Sequence, residues 1–237
     1  MQRLDDAVRR VLTAKFQLGL FDHPYADIDT FLTTTRSPEF HTTARLIAAR
    51  SMVLLKNNGL LPLQPEGKKI ALIGPFADER RSLLGSWVND VLADQPQPLA
   101  AVLREACPQS RIRTVASGLY DDMLMAAAEA DLVVLALGES HARNGEYNCV
   151  ASLDLPAGQQ ALVEAVAGLG KPLCVVVFAG RPVALTRILP HADALLYAWH
   201  PGSQGAEATV DVLLGAVNPG GKLPVTFPRT EGQIPLH

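Results

Sequence analysis

The sequence lacks the features that mark disulfide-stapled, zinc-binding, membrane-spanning or nucleic-acid-binding chains. Its three cysteines, Cys107, Cys149 and Cys174, are widely scattered, and an odd number without a CxxC pair argues against a zinc site and a disulfide framework. No apolar stretch approaches the roughly 20 residues that span a bilayer, and the N-terminus has no uninterrupted apolar segment of the signal-peptide kind. The formal net charge of −3 gives no electrostatic basis for binding nucleic acid or an anionic membrane, so neither is expected as a partner.

What the sequence does contain is the composition of a folded globular chain. Of its 237 residues, 48% are hydrophobic and 19% are charged. This balance excludes intrinsic disorder, because there is enough apolar surface to offset the entropy that is lost on folding. A chain of this length forms one large domain or two small ones.

Short apolar segments alternate with helical windows from residue 69 onward. The candidate strands are 69–75, 111–116, 131–138, 172–180 and 192–199. Three of them are continuous apolar runs, which is typical of strands that are covered on both faces. The candidate helices are 98–106, 120–130, 157–169 and 204–214. The alternation predicts an α/β fold, with a mostly parallel sheet between two layers of helices joined by right-handed crossovers.

Further elements are predicted at the two ends of the chain. Apolar residues at helical spacing predict an amphipathic helix over 4–18, and the Pro-, Asp- and Thr-rich segment 20–38 reads as an extended linker. A second helix is predicted over 38–55, with Ser37 as its N-cap. The segment 218–228 reads as a Gly/Pro turn that leads into a short edge strand.

Candidate functional residues lie in the loops that follow the strands, because ligands of open parallel sheets bind at the carboxyl ends of the strands. Glu139 and Glu146 follow the third candidate strand and are candidates for proton transfer, since burial in a cleft favours the neutral form of a carboxyl group. The alternative is that both are ordinary loop residues, and position alone favours it. Trp87 is a candidate for stacking on a flat ligand, although a packing role is favoured.

The remaining loop residues point to no other class of enzyme. The segment GPFADERRSLLGSW lacks the GxGxxG and Walker patterns, so nucleotide binding is disfavoured. His200 has no second histidine or cysteine at metal spacing, which favours a hydrogen-bonded structural histidine over a metal ligand or a base. The GSQG that follows it is either an anion site at a helix N-terminus or only a turn and N-cap. No GxSxG is present to support an α/β-hydrolase triad.

Five segments follow one another along the chain: RLDDAVRRVLTAKFQLGLFDHPY, ARLIAARSMVLLKNNGLLPL, IALIGPFADERRSLLGSW, FAGRPVAL and ADALLYAWHPGSQGAEATVDVLLGAVNPGGKLPVTFPR. Taken in this order, they resemble the second, α/β-sandwich domain of family 3 glycoside hydrolases, close to the periplasmic bacterial β-glucosidases. The resemblance implies a flavodoxin-like sandwich over residues 37–237. It also implies that residues 1–36 are the exit helix and linker of a (β/α)8 barrel.

The resemblance implies retaining hydrolysis of β-glucosides or oligosaccharides, a reaction that needs two carboxyl groups and no cofactor. In the family, the nucleophile is an aspartate of the barrel, and the acid/base glutamate lies on a loop of the second domain. That loop resembles GE…(S/H)E.SSR.D..LP..Q, which makes Glu146 the acid/base and Glu139 a structural glutamate. The tail of the pattern corresponds to Asp154, Pro156 and Gln160 or its neighbour.

The sequence departs from the family pattern in two ways. Val150 stands where the pattern has an arginine, so a cation that could orient loop carboxylates is lost. No aspartate matches the nucleophile motif, so the chain is expected to be a fragment that is inactive alone, supplies the acid/base to a barrel domain, and belongs to a periplasmic enzyme.

Two other functions stay open from the sequence. One is a non-catalytic carbohydrate-binding or interaction module, with Trp87 and the loop near Glu146 as a shallow saccharide surface. The other is a flavodoxin-like nucleotide-binding protein, which the missing phosphate loop disfavours.

Overall fold

The chain divides into two compact units, Met1–Thr42 and the residues from Thr43 onward. The structure is a computed structural model that describes residues 1–88, 96–156 and 158–236.

Two helices lie entirely within the first unit, α1 (Gln2–Gln17) and α2 (Ile28–Thr35). The structure confirms the predicted N-terminal helix, but the prediction of an extended linker over 20–38 is wrong. The reason is a local cap: the Asp27 carboxylate accepts hydrogen bonds from the backbone N–H groups of Asp29, at 3.0 Å, and Thr30, at 3.3 Å. These bonds satisfy donors that the first turn of a helix otherwise leaves free, so a threonine-rich segment becomes helical.

The predicted helix over 38–55 is too long. Helix α3 (Pro38–Ser51) ends earlier, and Val53–Asn57 forms strand β1. Strand β1 pairs antiparallel with strand β6 (Ala194–Tyr197), which lies far along the chain. A short apolar run reads equally as helix or strand, and only this distant partner decides between them.

A six-stranded sheet forms the centre of the second unit, in the order β1-β6-β5-β4-β2-β3. All its strand pairs are parallel except β1 with β6. The other strands are β2 (Lys69–Ile73), β3 (Arg111–Val115), β4 (Leu132–Gly138) and β5 (Leu173–Phe178). The other helices are α4 (Leu99–Ala106), α5 (Tyr120–Glu129), α6 (Gln159–Ala167) and α7 (Gly205–Leu214). The α/β prediction is therefore confirmed. The third predicted helix was expected to begin at residue 157, which lies outside the described residues.

Helices cover both faces of the sheet, so the core has two halves. Every residue of β4 is buried. Leu132, Val134 and Ala136 belong to the half that includes α4 and α7, whereas the alternate residues Val133 and Leu135 belong to the half that includes α5 and α6. Side chains alternate along a strand, so a strand with two covered faces must be apolar throughout.

The edge strand predicted over 218–228 does not form. Proline occupies positions 219, 224 and 228, and proline cannot donate a ladder hydrogen bond. The segment lies beside the start of β1 through a single ladder-like bond, from the Gly221 N–H to the Met52 carbonyl at 3.0 Å. The edges of the sheet are therefore β1 and β3.

Candidate functional site

The end of β4 is shaped by a glycine that no other residue can replace without a clash. Gly138 has a φ of 155°, and a Cβ there would lie 1.9 Å from the Phe178 carbonyl oxygen of β5. The Gln159 side chain accepts a hydrogen bond from the Gly138 N–H at 2.8 Å and donates one to its carbonyl at 2.9 Å. This pair of bonds sets the direction in which the chain leaves the sheet towards Glu139.

Glu139 is fully buried between two arginines. Its Oε1 accepts a hydrogen bond from Arg143 Nε at 3.3 Å, and its Oε2 accepts one from Arg181 Nε at 3.0 Å. Arg181 also donates to the Arg143 carbonyl, and the Tyr197 hydroxyl donates to the Arg181 carbonyl. Burial raises the pKa of Tyr197, which keeps its phenol protonated as a donor. Both oxygens of Glu139 are occupied, so its role here is to hold the loop against the sheet.

Glu146 lies in a different environment, at the exposed tip of the same loop. The Asn148 N–H donates to the Gly145 carbonyl at 3.3 Å, and this bond closes a turn with Glu146 and Tyr147 at its centre. Gly145 has a φ of 96°, which glycine adopts readily. Among the described residues, no side chain or backbone group forms a hydrogen bond or ion pair with the Glu146 carboxylate, so it is available to a ligand.

The Glu146 turn forms one wall of an open pocket of about 300 Å³. Trp87, from the loop after β2, and His141 also line this pocket. The packing role that was favoured for Trp87 is wrong, because the residue is 76% exposed. Two rings, those of Trp87 and Tyr147, therefore border a space that is also lined by several polar groups and by a carboxylate without a partner among the described residues.

The two loops that border the pocket are joined through Ser82 and His141. The His141 N–H donates to Ser82 Oγ at 3.2 Å, and Ser82 Oγ lies 3.1 Å from His141 Nδ1. These bonds connect the loop of Trp87 to the loop of Glu146. The relative position of the two loops is thus fixed by side chains of the second unit itself.

His200 lies at the carboxyl end of β6 and is half-buried. Burial lowers the pKa of its imidazole below the ordinary value of 6.5, and electrostatic interactions with His141 and Arg181 lower it further. Its Nε2 is buried and has no hydrogen-bond partner among the described residues. The hydrogen-bonded structural histidine favoured from the sequence is therefore not observed at this nitrogen.

The far end of the Glu146 loop is held by the C-terminal segment. The Glu231 carboxylate accepts hydrogen bonds from Ser152 Oγ at 2.7 Å and from the Leu153 N–H at 2.9 Å. The bond from Ser152 is the main reason that the pKa of Glu231 lies below the ordinary value of 4.5. Nearby, Gln160 Nε2 donates to Asp154 Oδ1 at 2.8 Å, which connects the tail of the loop to α6.

Replacing Glu231 with glutamine is expected to loosen this end of the loop. A neutral amide oxygen is a weaker acceptor than a carboxylate, so the Leu153 amide hydrogen should exchange severalfold faster at pH 7. In the unchanged protein, the stabilisation that the Glu231 carboxylate gives to the folded state is fully present above pH 4.5. It is lost as the pH falls through the lower folded-state pKa, because the unfolded state binds the proton first. Amide hydrogen exchange measures both effects, with Glu66→Gln on an exposed residue as the control; equal exchange in the two variants would count against the tether.

From the sequence, Glu139, Glu146, Trp87 and His200 are expected at one edge of the sheet. The structure brings Glu139 against Arg181, and it brings Glu146 against the pocket of Trp87. Sequence reasoning did not find the contacting residues Arg143, Ser82 and Glu231. Arg143 could have been predicted most easily, because it follows Glu139 by only four residues. Ser82 and Glu231 contact parts of the loop that are distant from them in sequence.

The described part of the chain contains no cluster of three histidine, cysteine or acidic side chains that could bind a metal ion. No described helix is long and apolar enough to cross a membrane.

Comparisons with known proteins agree on one family. Residues 52–237 match the glycosyl hydrolase family 3 C-terminal domain. A periplasmic beta-glucosidase of Salmonella typhimurium is 35% identical over 272 residues, covering 100% of this chain and 35% of that protein. A beta-xylosidase of Formosa agariphila is 36% identical over 251 residues, covering 100% of this chain and 35% of that protein. The crystal structure of beta-glucosidase from Listeria innocua in complex with glucose superposes with a TM-score of 0.88 at 38% identity, covering 99% of this chain and 33% of that one. The chain thus spans about a third of the length of the curated relatives it matches.

Proposed function

Because this chain belongs to glycosyl hydrolase family 3, we propose that it supplies Glu146 as the acid/base carboxylate of a retaining β-glucosidase. The observation that carries the proposal is the contrast between the two loop glutamates. Glu139 is buried and paired with two arginines, whereas Glu146 is exposed on a glycine-initiated turn beside an open pocket. Only the second carboxylate is free to meet a glycosidic oxygen.

In the proposed reaction, Glu146 acts twice. It first donates its proton to the glycosidic oxygen while a nucleophilic carboxylate attacks the anomeric carbon, so that the alcohol leaves and a covalent glycosyl–enzyme forms. As a carboxylate, it then takes a proton from the water that hydrolyses this intermediate. The sugar leaves with its configuration retained, and Glu146 is protonated again.

The second carboxylate of this reaction must come from outside the pocket. Retaining enzymes hold their two carboxyl groups about 5–5.5 Å apart. Glu146 is the one carboxylate among the described residues that line the pocket. We therefore infer that the nucleophile belongs to a barrel domain that packs over the Glu146 turn, and that the chain alone has negligible activity.

Helix α1 supports a role for residues 1–36 as the connection to that barrel domain, with residues 37–237 as the α/β domain. The helix has no buried residue, and its apolar side chains Leu4, Val8, Leu12 and Phe16 recur at helical spacing while remaining exposed. An apolar stripe of this kind is normally covered by a partner. The periplasmic β-glucosidase among the relatives supports the same compartment for the complete enzyme.

The exposed rings of Trp87 and Tyr147 also support a second candidate, a carbohydrate-binding module without catalysis. Aromatic faces beside a shallow polar pocket can stack on the apolar face of a sugar ring. If the chain is such a module, it should bind glucose or cellobiose in isolation. Glu146→Gln should then leave the turnover of the mixture with a barrel domain unchanged.

Mixing the pure chain with a separately produced barrel domain tests the proposal. We expect no cleavage of a chromogenic aryl β-glucoside by the chain alone and measurable cleavage by the mixture. Turnover by the pure 237-residue chain that disappears in Glu146→Gln would contradict the requirement for a partner. Absence of both binding and turnover in the mixture would count against the barrel domain as that partner.

A further inference from the structure

His200 is a half-buried titratable group near the candidate site for which the proposed reaction has no use. It follows β6 and has a buried Nε2 without a partner among the described residues. A buried polar atom without a partner is uncommon in folded proteins and calls for an explanation.

The ring of His200 is wedged between two glycines. A Cβ on Gly85 would lie 2.6 Å from His200 Nδ1, and a Cβ on Gly180 would lie 2.5 Å from His200 Cε1. The same Cβ on Gly180 would lie 2.9 Å from Asn144 Oδ1. Gly85 belongs to the loop that carries Trp87, and Asn144 is two residues from Glu146. The imidazole therefore lies against the Trp87 loop and against Gly180, the glycine that Asn144 of the Glu146 loop also approaches.

The backbone before His200 is held in an unusual conformation. Trp199 has a φ of 59°, in the left-handed region that residues other than glycine rarely adopt. Its ring packs edge-on against Tyr197, with centroids 4.7 Å apart, and against Phe227, with centroids 5.8 Å apart. This aromatic cluster holds the turn that directs the next residue, His200, towards the two loops.

The charges around His200 oppose its protonation. His141 and Arg181 act on it directly. Arg81 donates to the carbonyl of Gly85, the glycine that lies against the ring, at 2.7 Å. The loop acid Glu139 already has both oxygens bound, to Arg143 and Arg181. On α7, Glu207 acts electrostatically on Arg45. A proton on His200 would thus add a cation to a group of cations whose carboxylate is already paired.

We infer that His200 is a positioning residue, whose neutral ring holds the Trp87 loop and the Glu146 loop in place and whose protonation loosens both. The catalytic consequence rests on the proposed function of Glu146: below the pH at which His200 takes up a proton, the acid/base would lose its fixed position. The lowered pKa means that the neutral ring stabilises the folded state fully above pH 6.5. This contribution is lost as the pH falls through the folded-state value, since the unfolded state binds the proton first.

The test is a pH titration of the 237-residue chain by NMR, from pH 8 to pH 4.5. We expect the His200 Hε1 signal to titrate with a midpoint below 6.5, and the amide signals of Gly85, Trp87 and Gly145 to shift with the same midpoint. In His200→Phe, which keeps a flat ring but cannot be protonated, that step in the loop signals should disappear. His191→Phe removes an exposed histidine and should leave the step unchanged. If the phenylalanine variant does not fold, His200→Gln provides a second neutral side chain.

Three results would overturn the inference: a midpoint at or above 6.5, loop amides that ignore the His200 titration, or a step that persists in both neutral variants. The readout needs no turnover and no barrel domain. It therefore separates a failure of this inference from a failure of the proposed function, which Glu146→Gln tests through activity alone.

Discussion

Glu146→Gln is expected to lower kcat/KM for alkyl β-glucosides, which reports the step that releases the leaving group, by about 10²–10⁴-fold in the chain assembled with a barrel domain. The amide has nearly the shape of the carboxylic acid but cannot donate a proton to the glycosidic oxygen or accept one from water. A poor leaving group depends on that proton, so the loss should be largest for alkyl glucosides and smaller for dinitrophenyl glucoside, whose departing phenolate needs little help. Steady-state kinetics with both substrates measure the difference.

Glu66→Gln is the matched control for this result. Glu66 is exposed, and it precedes β2 at the amino ends of the strands, away from the pocket. Its kcat/KM should equal that of the unchanged protein. If Glu146→Gln lowered kcat/KM equally for both leaving groups, a role in proton donation would be wrong even though the residue mattered.

Glu139→Gln is expected to destabilise the second unit by about 3 kcal/mol. The substitution keeps the shape of the side chain and removes its charge, so the guanidinium of Arg181, which is only 23% exposed, loses its counter-charge. Breaking a buried pair costs more than the pair contributes, because the remaining charge stays desolvated. Urea unfolding followed by circular dichroism measures the change in the free energy of unfolding.

Arg143→Gln is the informative comparison, since it removes the more exposed arginine from the same carboxylate. The Arg143 side chain is 38% exposed and its bond is longer, at 3.3 Å, so we expect a loss of about 1 kcal/mol or less. Equal losses in the two variants would contradict the view that Glu139 is held mainly by Arg181.

The sheet was predictable because its central strands are continuous apolar runs, which can be recognised from the local sequence alone. Strand β4 is buried along its whole length, and such runs leave few alternatives to a strand covered on both faces. The errors occurred where a distant or polar contact decides the structure. Strand β1 depends on pairing with β6, and α2 depends on the side chain of Asp27. Neither contact is visible as hydrophobic periodicity.

The candidate site was predictable only in part, for a similar reason. The rule that loops gather at the carboxyl ends of parallel strands placed Glu139 and Glu146 at the correct edge. It could not separate a paired glutamate from a free one. That distinction arises from Arg181, 42 residues after Glu139, and from tethers such as Glu231, 79 residues after Ser152. Contacts between residues so far apart in sequence form only when the chain folds, so local sequence patterns do not reveal them.

Azide rescue of Glu146→Ala tests the central claim most directly, in the chain assembled with a barrel domain and supplied with dinitrophenyl glucoside. Removing an acid/base carboxylate leaves space and no charge repulsion, so azide can attack the glycosyl–enzyme in place of activated water. We expect kcat to rise with azide concentration and the product to be β-glucosyl azide, with retained configuration. An α-glucosyl azide would identify position 146 as the nucleophile instead, and no response to azide would show that Glu146 takes no part in the chemistry.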